Sequence, residues 1–559
     1  MSIRCATGGK PFWVSCVCVL SLLVGWCGAS PAVAGELAAT PPMGWSTWAQ
    51  YQCNYNAQTI INNAQALIST GLATKGYKYV NIDSCWMMPK RASNGELQVN
   101  RAMFPQGMLA VADRIRKLGL KFGIYEQAGA KTCNGKFPGS GRYTVNGPYH
   151  FATDVRQFAS WGAQYFKLDG CNVLVAPGET RSHAYRMAYA AASRAIAATG
   201  HKMLFNESAP AYFLNTPGWY RVLSWVGQYG QSWRTGTDIQ IFNRREPKTP
   251  RFRSILWNYT YNLPLGRFQH PGNWDDPDYI IGGAPGVTLR QTKTQMSLWA
   301  MMSAPLILSS NVAKLTPSAV RALGNERVIA IDQDPLGRMA TLVWRTPARD
   351  VLIKPLIRGQ YAVAVLDHSY SPISVALTPS ALGFSSTSGC SLDSTNVWTG
   401  AVQVHAGALT ARIRPGGTAM WRITPTSDCG IRPREGAIVM TVPGSRTVEG
   451  YAQCLAGASR VVRCERHADE LWVVAKNGEL QTDGGCLSAD GSTGGVALGA
   501  CRGAALQRWV YQRTGQLVNL ANHQCLSGEL RGSSKVFGMK VAVTTCVADN
   551  LRQIWALPN

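Results

Sequence analysis

Two aspartates end apolar or strand-like segments, each with a cationic residue nearby. Asp169 ends an apolar segment (163–169) close to Lys167, and Asp238 ends a candidate strand that also holds Arg234. Glycoside hydrolysis needs two carboxyl groups that flank the bond: one attacks or activates water, and the other protonates the leaving oxygen. A cation near Asp169 favours its ionised form. Since a strand-end aspartate is also a common helix N-cap, neither residue is specific by itself.

The elements that would position these residues alternate between strand and helix. Four apolar runs, rich in β-branched and aromatic residues, are typical of buried strands: YKYVNID (77–83), KFGIYE (121–126), AQYFKLD (163–169) and KMLFNES (202–208). Helix-like stretches such as 107–118 and 181–198 lie between them. Spacing of about 40 residues predicts parallel βαβ units. Each run ends in a polar or acidic residue, and in a (β/α)8 TIM barrel the strand ends form the active face.

The pattern changes after about residue 335. Residues 350–424 alternate apolar and polar side chains, which predicts an antiparallel β domain. The C-terminal residues contain a weak repeat in which three close cysteine pairs are followed by ELW (470–472), QRW (507–509) and QIW (553–555). Three such units predict a β-trefoil, with each pair stapling its own unit.

The N-terminus is typical of an export signal. Arg4 and Lys10 precede an apolar run that ends at Trp26, and Ala32-Val33-Ala34 offers a cleavage site, so residues 1–34 are predicted to be a signal peptide. A membrane anchor is the weaker alternative because a spanning helix needs about 20 apolar residues. We therefore expect a secreted or periplasmic protein without a stable membrane span.

Cysteine usage and charge narrow the function classes. Of 16 cysteines, the four in the signal leave an even number, which together with export implies disulfides rather than metal thiolates. Neither a CxxC nor an HExxH motif is present, so no structural zinc site is expected. The net charge is +24, but Lys and Arg are spread along the chain without a recognition motif. A basic solvated surface is therefore favoured over nucleic-acid binding.

Residues Ala38 to Gly337 resemble the α-galactosidase (melibiase) family, glycoside hydrolase family 27. The resemblance rests on eight sequence motifs that occur in the family's order. They are PPMGWSTW (41–48), YVNIDSCW (79–86), KFGIYEQAGAKTC (121–133), YFKLDGC (165–171), WRTGTDI (233–239), GNWDDPD (272–278), SLWAMMSAPLILS (297–309) and VIAIDQDPLG (328–337). The resemblance implies a barrel followed by an antiparallel β domain, retention of anomeric configuration, and no metal or organic cofactor. The C-terminal residues resemble, more weakly, the ricin B-type lectin domain.

The resemblance also implies roles for individual residues. By motif position, Asp169 resembles the nucleophile and Asp238 the acid/base. The residues that resemble substrate-pocket positions are Trp48, Asp83, Tyr125, Lys167, Arg234 and Asp278. The family further implies two disulfides, Cys53–Cys85 and Cys133–Cys171. In the β domain we infer Cys390–Cys429 by elimination, and the trefoil repeat predicts Cys454–Cys464, Cys486–Cys501 and Cys525–Cys546.

Three departures from the family pattern bear on substrate choice. Galactose-specific members usually carry two adjacent aspartates where this chain has Asp83-Ser84. The loop NESAPAY (206–212) allows two alignments: in one, Glu207 matches a glutamate near the sugar 2-hydroxyl. In the other, Ser208 and Ala211 match the small residues that leave room for an N-acetyl group. In both alignments the cysteine that begins this loop in many members is missing, so we expect no disulfide to brace it.

The trefoil departs as well, because sugar-binding units usually carry Asp where this chain has Ala456, Ser488 and Ser527. A functional lectin and a structural appendage therefore remain alternatives.

The domains we predict are the catalytic barrel at 38–337, an antiparallel β-sandwich at 338–429 and the trefoil at 440–559. The expected function is that of an exo-acting retaining α-galactosidase acting on terminal α-D-galactose. The alternatives are an α-N-acetylgalactosaminidase or another pocket variant with the same mechanism, and an inactive barrel that only binds glycans.

Overall fold

Eight parallel strands form the first sheet of the protein. The computed structural model describes residues 37–559 apart from 215, 217, 242–250, 347, 385–388, 431–434, 441–452, 459, 464–467, 513, 530–538, 549 and 559. The strands are β1 (Met43–Ser46), β2 (Tyr79–Ile82), β3 (Lys121–Gln127), β4 (Tyr165–Asp169), β5 (Leu204–Glu207), β6 (Ser232–Arg234), β7 (Trp274–Asp276) and β8 (Leu306–Leu308). Neighbours in the chain pair in parallel from β1 to β7, and β8 pairs with β1. The predicted parallel sheet is confirmed.

The sheet closes into a barrel just after β7. Ile280 forms a parallel bridge with Leu308, and its backbone N–H donates to the carbonyl of Ile307 at 2.8 Å. The return bond, from the backbone N–H of Ser309 to the carbonyl of Ile280, is also 2.8 Å. All carboxyl ends of the strands therefore face one rim, which is where a TIM barrel carries its active site.

Helices connect the strands on the outside of the barrel. They are Trp48–Tyr51, Ala57–Ser69, Gly107–Lys117, Phe151–Ser160, Arg181–Thr199, Trp219–Val226, Arg251–Asn262, Leu289–Met302, Pro317–Leu323 and Glu326–Asp332. Their starts follow local chemistry: Thr288 and Gln291 form a capping box at the start of Leu289–Met302, and Thr180 accepts a bond from the backbone N–H of His183. The predicted helices at 107–118 and 181–198 are thus confirmed to within a residue.

One predicted strand is shorter than expected. The candidate strand 233–238 ends at Arg234, and Asp238 lies in the loop beyond it. A Cβ atom at Gly236 would collide with the side-chain oxygen of Asn258, so the backbone passes close to the helix Arg251–Asn262 here. Asp238 therefore reaches the rim from a loop rather than from a strand.

A β-sandwich follows the barrel. Six antiparallel strands form one sheet: Thr341–Arg345, Arg349–Pro355, Tyr361–Asp367, Thr418–Pro425, Leu392–Asn396 and Val402–Ala406. Ile373–Leu377 pairs with Leu409–Ile413 in a second sheet. The inner side chains of both sheets share an apolar core that includes Val363, Val375 and Trp421. The predicted antiparallel domain is confirmed.

The C-terminal domain is a β-trefoil with a threefold repeat in its core. Its described strands are Glu435–Ala437, Val439–Met440, Gln453–Ala456, Arg460–Arg463, Leu471–Val474, Leu480–Thr482, Gly485–Ala489, Val496–Gly499, Trp509–Tyr511, Leu517–Asn519, Cys525–Glu529, Met539–Thr544 and Trp555–Ala556. The indole N–H groups of Trp472, Trp509 and Trp555 each donate to the carbonyl of a leucine that follows a cysteine, at 2.8, 2.9 and 2.9 Å. All three tryptophans are buried, so the repeated tryptophan serves the core.

Five of the six predicted disulfides are present among the described residues. They are Cys53–Cys85, Cys133–Cys171, Cys390–Cys429, Cys486–Cys501 and Cys525–Cys546. The sixth prediction, Cys454–Cys464, and the predicted signal peptide lie outside the described residues. Disulfides of this number are typical of proteins that fold in an oxidising compartment. Over the described ranges, the structure contains no helix with the length and apolarity needed to cross a membrane.

A buried lysine and a half-buried arginine join the domains. Lys354 of the sandwich donates to the carbonyls of Ala300 and Ile331 at 2.6 and 2.7 Å and to the hydroxyl of Ser303 at 2.6 Å. Those carbonyls belong to the last turns of two barrel helices, where no intrahelical donor is available. Arg267 of the barrel donates to the carbonyl of Trp555 in the trefoil at 3.0 Å. Both contacts tie a later domain to the barrel.

We expect Lys354→Met to lower the melting temperature by at least about 2 °C. The substitution keeps the buried length of the side chain but removes the donor that two helix-end carbonyls and one hydroxyl share, and a buried group left unsatisfied costs about 1–3 kcal/mol. Differential scanning calorimetry on Lys354→Met beside Lys314→Met, an exposed lysine, would measure this. Equal melting temperatures in the two variants would contradict the role of Lys354 at the junction.

Candidate active site

Asp169 ends β4 and is held by three hydrogen-bond donors. The hydroxyls of Tyr125 and Tyr212 donate to its Oδ2 and Oδ1 at 2.9 and 2.6 Å. The backbone N–H of Gly170 donates to Oδ1 at 2.9 Å. These donors fix the orientation of the carboxylate, which stays half-buried and reachable from the rim. A fixed, ionised carboxylate at a strand end can act as a nucleophile.

The Cys133–Cys171 disulfide forms a wall beside Asp169. Cys133 Sγ lies 3.5 Å from Asp169 Oδ2, and the Tyr212 hydroxyl lies 2.9 Å from Cys171 Sγ. Gln127, at the end of β3, accepts from the backbone N–H of Cys171 at 3.0 Å and donates to Cys133 Sγ at 3.2 Å. Because both sulfurs are in the disulfide, this cluster offers no thiolate to a metal ion.

A buried triangle of polar groups lies below the nucleophile. Lys167 Nζ donates to Asp83 Oδ2 at 2.8 Å and to the Tyr279 hydroxyl at 2.7 Å, and that hydroxyl donates to Asp83 Oδ2 at 2.8 Å. Burial alone would lower the pKa of Lys167, but Asp83 and Tyr279 raise it well above its ordinary value. The ammonium group therefore stays charged inside the barrel. We call Asp83, Lys167 and Tyr279 the floor triangle.

The segment after β2 fixes the position of Asp83. Its backbone N–H donates to the Thr47 hydroxyl at 3.0 Å, and the Tyr55 hydroxyl donates to the carbonyls of Asp83 and Ser84, both at 2.7 Å. Asp83 Oδ1 accepts from the backbone N–H of Ser84 at 2.8 Å. Trp48 follows β1 on the same rim and is half-buried.

Arg234 links the second candidate carboxylate to the barrel. Its guanidinium lies 3.0 Å from Asp238 Oδ1 and 3.1 Å from Asp278 Oδ1. The Asp238 side chain is 59% exposed whereas that of Arg234 is 6% exposed, so Asp238 stands at the mouth of the pocket. Although desolvation acts to raise the pKa of Asp238, Arg234 and then Lys167 hold it below its ordinary value.

Asp278 contacts the Arg234 guanidinium on the side away from Asp238. The backbone of Asp278 is in the left-handed conformation, with φ of 82°. Its backbone N–H donates to Asp276 Oδ1 at 2.8 Å, and its Oδ2 accepts from the backbone N–H of Ile239 at 2.6 Å. Burial raises the pKa of Asp278 to about 7. Such a conformation is rare for a residue with a side chain and is typical of functional sites.

The two candidate carboxylates converge on one pocket. The hydroxyl of Tyr212 bonds to Asp169, and its pKa is raised by burial, by Asp169 and by Asp238. Lys167 lies within electrostatic range of both aspartates as well. The structure thus brings together Asp169, Asp238 and the floor triangle, as the candidate site requires.

The loop after β5 brings Tyr212 to the first candidate carboxylate. The Tyr212 hydroxyl donates to Asp169, and Ser208 lies buried in the same loop with its hydroxyl unbonded. Ala211, one residue before Tyr212, lies on the same short helix, Ala209–Phe213, and is half-buried.

The Glu207 carboxyl group is not brought to Asp169. Successive strand side chains point to opposite faces, and Asn206 points inward, donating to Ser232 Oγ and Asp276 Oδ2 at 3.0 Å each. Glu207 therefore points outward with Phe205 and packs against Gly230, where a Cβ atom would collide with its Oε1. Both carboxyl oxygens are buried without a hydrogen-bond partner, and burial raises the pKa of Glu207 well above its ordinary value.

Tyr212 and Tyr279 are site residues that the sequence analysis did not single out. The sequence did contain a hint of Tyr212, since this residue closes the loop NESAPAY (206–212) and lies five residues after the end of β5. Tyr279 directly follows Asp278, and only the backbone reversal at Asp278 turns its hydroxyl towards β2 and β4. Its role depends on this turn, which no periodic pattern indicates.

Comparisons with known proteins agree with this arrangement. The family model described as Alpha galactosidase A matches residues 40–334, the Alpha galactosidase C-terminal beta sandwich domain matches 346–423, and the Ricin-type beta-trefoil lectin domain matches 419–555. The chain is 34% identical to "Alpha-galactosidase A" of Aspergillus niger, over 94% of this chain and 92% of that protein. It is 31% identical to "Alpha-galactosidase" of Cyamopsis tetragonoloba, over 70% of this chain and 88% of that protein.

A solved structure gives the same result in three dimensions. Alpha-galactosidase I from Mortierella vinacea is similar with a TM-score of 0.62 at 25% identity, and the match covers 71% of this chain and 100% of that one.

The buried state of Glu207 makes stability depend on pH. Because the folded pKa is raised, the folded protein keeps a proton that the unfolded chain releases above about pH 4.3. Stability is therefore lost as pH rises towards the folded pKa. We expect Glu207→Gln and the parent protein to melt at nearly the same temperature at about pH 4. As the pH rises to about 8, the variant should melt at an increasingly higher temperature than the parent protein.

The control is Glu96→Gln, which removes an exposed carboxyl group. Melting curves of the three proteins in one buffer series would measure the differences. A difference for Glu207→Gln that stays constant with pH would show that Glu207 is not a buried neutral acid.

Proposed function

The chain belongs to the α-galactosidase family, glycoside hydrolase family 27, and with that as premise we propose the roles of its residues in hydrolysis. Asp169 is the nucleophile and Asp238 is the general acid/base in the removal of terminal, non-reducing α-D-galactose. The observation that carries this proposal is the contrast between the two carboxylates. Asp169 is fixed by three donors at a strand end, and Asp238 stands exposed at the mouth, bonded only to Arg234 among the described residues.

In the first step an Asp169 oxygen attacks the anomeric carbon of the sugar. The bond from that carbon to the leaving oxygen breaks, and the leaving oxygen takes a proton from Asp238. The exposure of Asp238 suits this role, because the leaving group extends from the pocket into solvent. The Tyr125 and Tyr212 hydroxyls hold the attacking carboxylate towards the sugar face.

In the second step Asp238 acts as a base. It takes a proton from a water molecule, whose oxygen attacks the anomeric carbon and breaks the ester bond to Asp169. Two inversions at the same carbon give retention. Asp238 is left ionised once it has given up its proton in the first step, and Arg234, which holds its pKa below its ordinary value, stabilises that ionised form.

The other predicted residues bind the sugar. We propose that Asp83 and Lys167 bind hydroxyls at the floor of the pocket, and that Arg234, held in place by Asp278, is a further donor near the mouth. Trp48 offers the ring an apolar face. Ser84 follows Asp83 directly and is buried beside it.

An N-acetylated sugar is the second candidate substrate. The observation that favours it is the placement of Ser208 and Ala211, two small side chains in the loop whose Tyr212 bonds the nucleophile. In this family small residues at these positions leave room for an N-acetyl group on the sugar C2. The mechanism would be unchanged.

The chain outside the pocket comprises an N-terminal export signal and two further domains. We propose domain boundaries at 38–337, 338–429 and 440–559, and export directed by residues 1–34. For the trefoil we propose that it is an appendage with little sugar affinity, because Ala456, Ser488 and Ser527 offer no carboxylate where sugar-binding units carry one.

Azide distinguishes the two aspartates by the product it forms. Asp169→Gly should lower kcat by several orders of magnitude because it removes the covalent route. In this variant added azide should displace the leaving group directly, with one inversion at C1, and give the β-galactosyl azide. Asp238→Gly still forms the intermediate from a nitrophenyl galactoside, so azide should give the α-galactosyl azide. NMR of the two products checks both roles, and the same anomer from both variants would overturn them.

The choice of sugar is tested by parallel assays. We expect turnover of nitrophenyl α-D-galactoside by the parent protein, and its N-acetylated counterpart is assayed in parallel. The double variant Ser208→Glu with Ala211→Leu should lose any activity on the acetylated sugar and keep activity on the galactoside, since larger side chains would fill the space at C2. Failure of the parent protein on the galactoside, with turnover of the acetylated sugar, would make the second candidate the function.

A further inference from the structure

The floor triangle contains one residue without an assigned role. Tyr279 is 6% exposed, and its hydroxyl both accepts from Lys167 at 2.7 Å and donates to Asp83 at 2.8 Å. Burial and then Asp83 raise the pKa of Tyr279 well above its ordinary value, so the hydroxyl remains a neutral donor. A hydroxyl in this position can both donate and accept a hydrogen bond without adding charge.

The depth of the triangle indicates which part of the sugar it meets. Lys167 precedes Asp169 by two residues on β4, so both side chains point to the same face, about 7 Å apart along the strand. Asp169 must reach the anomeric carbon, C1. A pyranose ring seated against it extends its C4 side into the barrel, towards the triangle. The hydroxyls on C4 and C6 of galactose lie on that side, and the C2 hydroxyl stays near the mouth.

Lys167 cannot move far from this position. Its ammonium nitrogen lies 4.9 Å from the centre of the Tyr279 ring and 5.6 Å from that of Tyr125. Asp83 is equally constrained, because its Oδ1 accepts from the backbone N–H of Ser84 and its Oδ2 accepts from both other members of the triangle. Tyr279 thus takes part in the orientation of both charged groups that face the sugar.

We propose that Tyr279 is a specificity-determining residue, whose hydroxyl completes the set of groups that recognises the hydroxyls on the C4 side of the sugar. This inference rests on the proposed function and deepens it. In galactose-specific relatives a second aspartate follows the first, and here Ser84 provides no charge. Tyr279 supplies the additional polar group at the floor as a neutral hydroxyl on the far side of Asp83 and Lys167.

The experiment crosses a variant with substrates that lack single hydroxyls. Nitrophenyl α-D-galactoside and its 2-deoxy, 4-deoxy and 6-deoxy analogues are assayed with the parent protein and with Tyr279→Phe. On the galactoside, kcat/KM should fall about 10- to 100-fold, because a buried hydrogen-bonding position loses its partner. The loss caused by removing the C4 or the C6 hydroxyl should then be at least tenfold smaller in the variant than in the parent protein.

The 2-deoxy analogue is the internal control, since its missing hydroxyl lies at the mouth. The loss it causes should be the same in both proteins. Tyr77→Phe is the matched structural control: Tyr77 is fully buried and its hydroxyl donates to the Leu323 carbonyl at 2.7 Å. It should leave all the ratios between substrates unchanged, even where the melting temperature falls.

The outcomes separate this inference from the proposed function. Turnover of the galactoside with equal 4-deoxy and 6-deoxy penalties in the parent protein and in Tyr279→Phe would overturn the role of Tyr279 alone. No turnover of any α-galactoside by the parent protein would overturn the proposed function. If Tyr279→Phe does not fold, Tyr279→His, which keeps a hydrogen-bonding ring, is assayed with the same substrates, and an unchanged pattern of penalties would again overturn the role.

Discussion

A buried ammonium group needs a carboxylate beside it, and this constraint organises the pocket. Moving a charge out of water costs several kcal/mol unless partners compensate for it. Lys167 meets this need with Asp83 from β2 and with Tyr279 from the segment after β7, so three distant parts of the chain must meet for one cation to be buried. The same requirement positions Arg234 between Asp238 and Asp278. The charges that we propose bind and cleave the sugar are thus held in place by contacts between distant parts of the barrel.

The junctions between domains follow the same rule with different acceptors. Lys354 enters the barrel layer at the ends of two helices, where carbonyl groups carry partial negative charge. Arg267 lies against the rings of Tyr220, Phe268 and Tyr511 and bonds a carbonyl of the trefoil. Neither junction depends on a large apolar face alone. Each requires a specific backbone acceptor, which fixes how the later domain meets the barrel.

The parts of the site that lie on strands were predictable from the sequence. Asp83, Tyr125, Lys167 and Asp169 are at or near the ends of apolar runs, and parallel pairing places such ends on one rim. Asp238 was assigned to a strand and lies in a loop, because β6 ends at Arg234, four residues before it. Tyr279 could not be found this way, since its position depends on the left-handed backbone at Asp278.

The loop after β5 shows why one residue of uncertainty in alignment matters. On a strand, a shift by one residue exchanges the inner and outer faces, and Asn206 and Glu207 differ in this way. Glu207 points outward into a space that exists only because residue 230 is glycine. A neutral acid there packs β5 against the chain before β6 without a covalent link. The loop that follows carries Tyr212, whose hydroxyl orients Asp169 and lies 2.9 Å from Cys171 Sγ, so this loop and the Cys133–Cys171 disulfide hold the candidate nucleophile together.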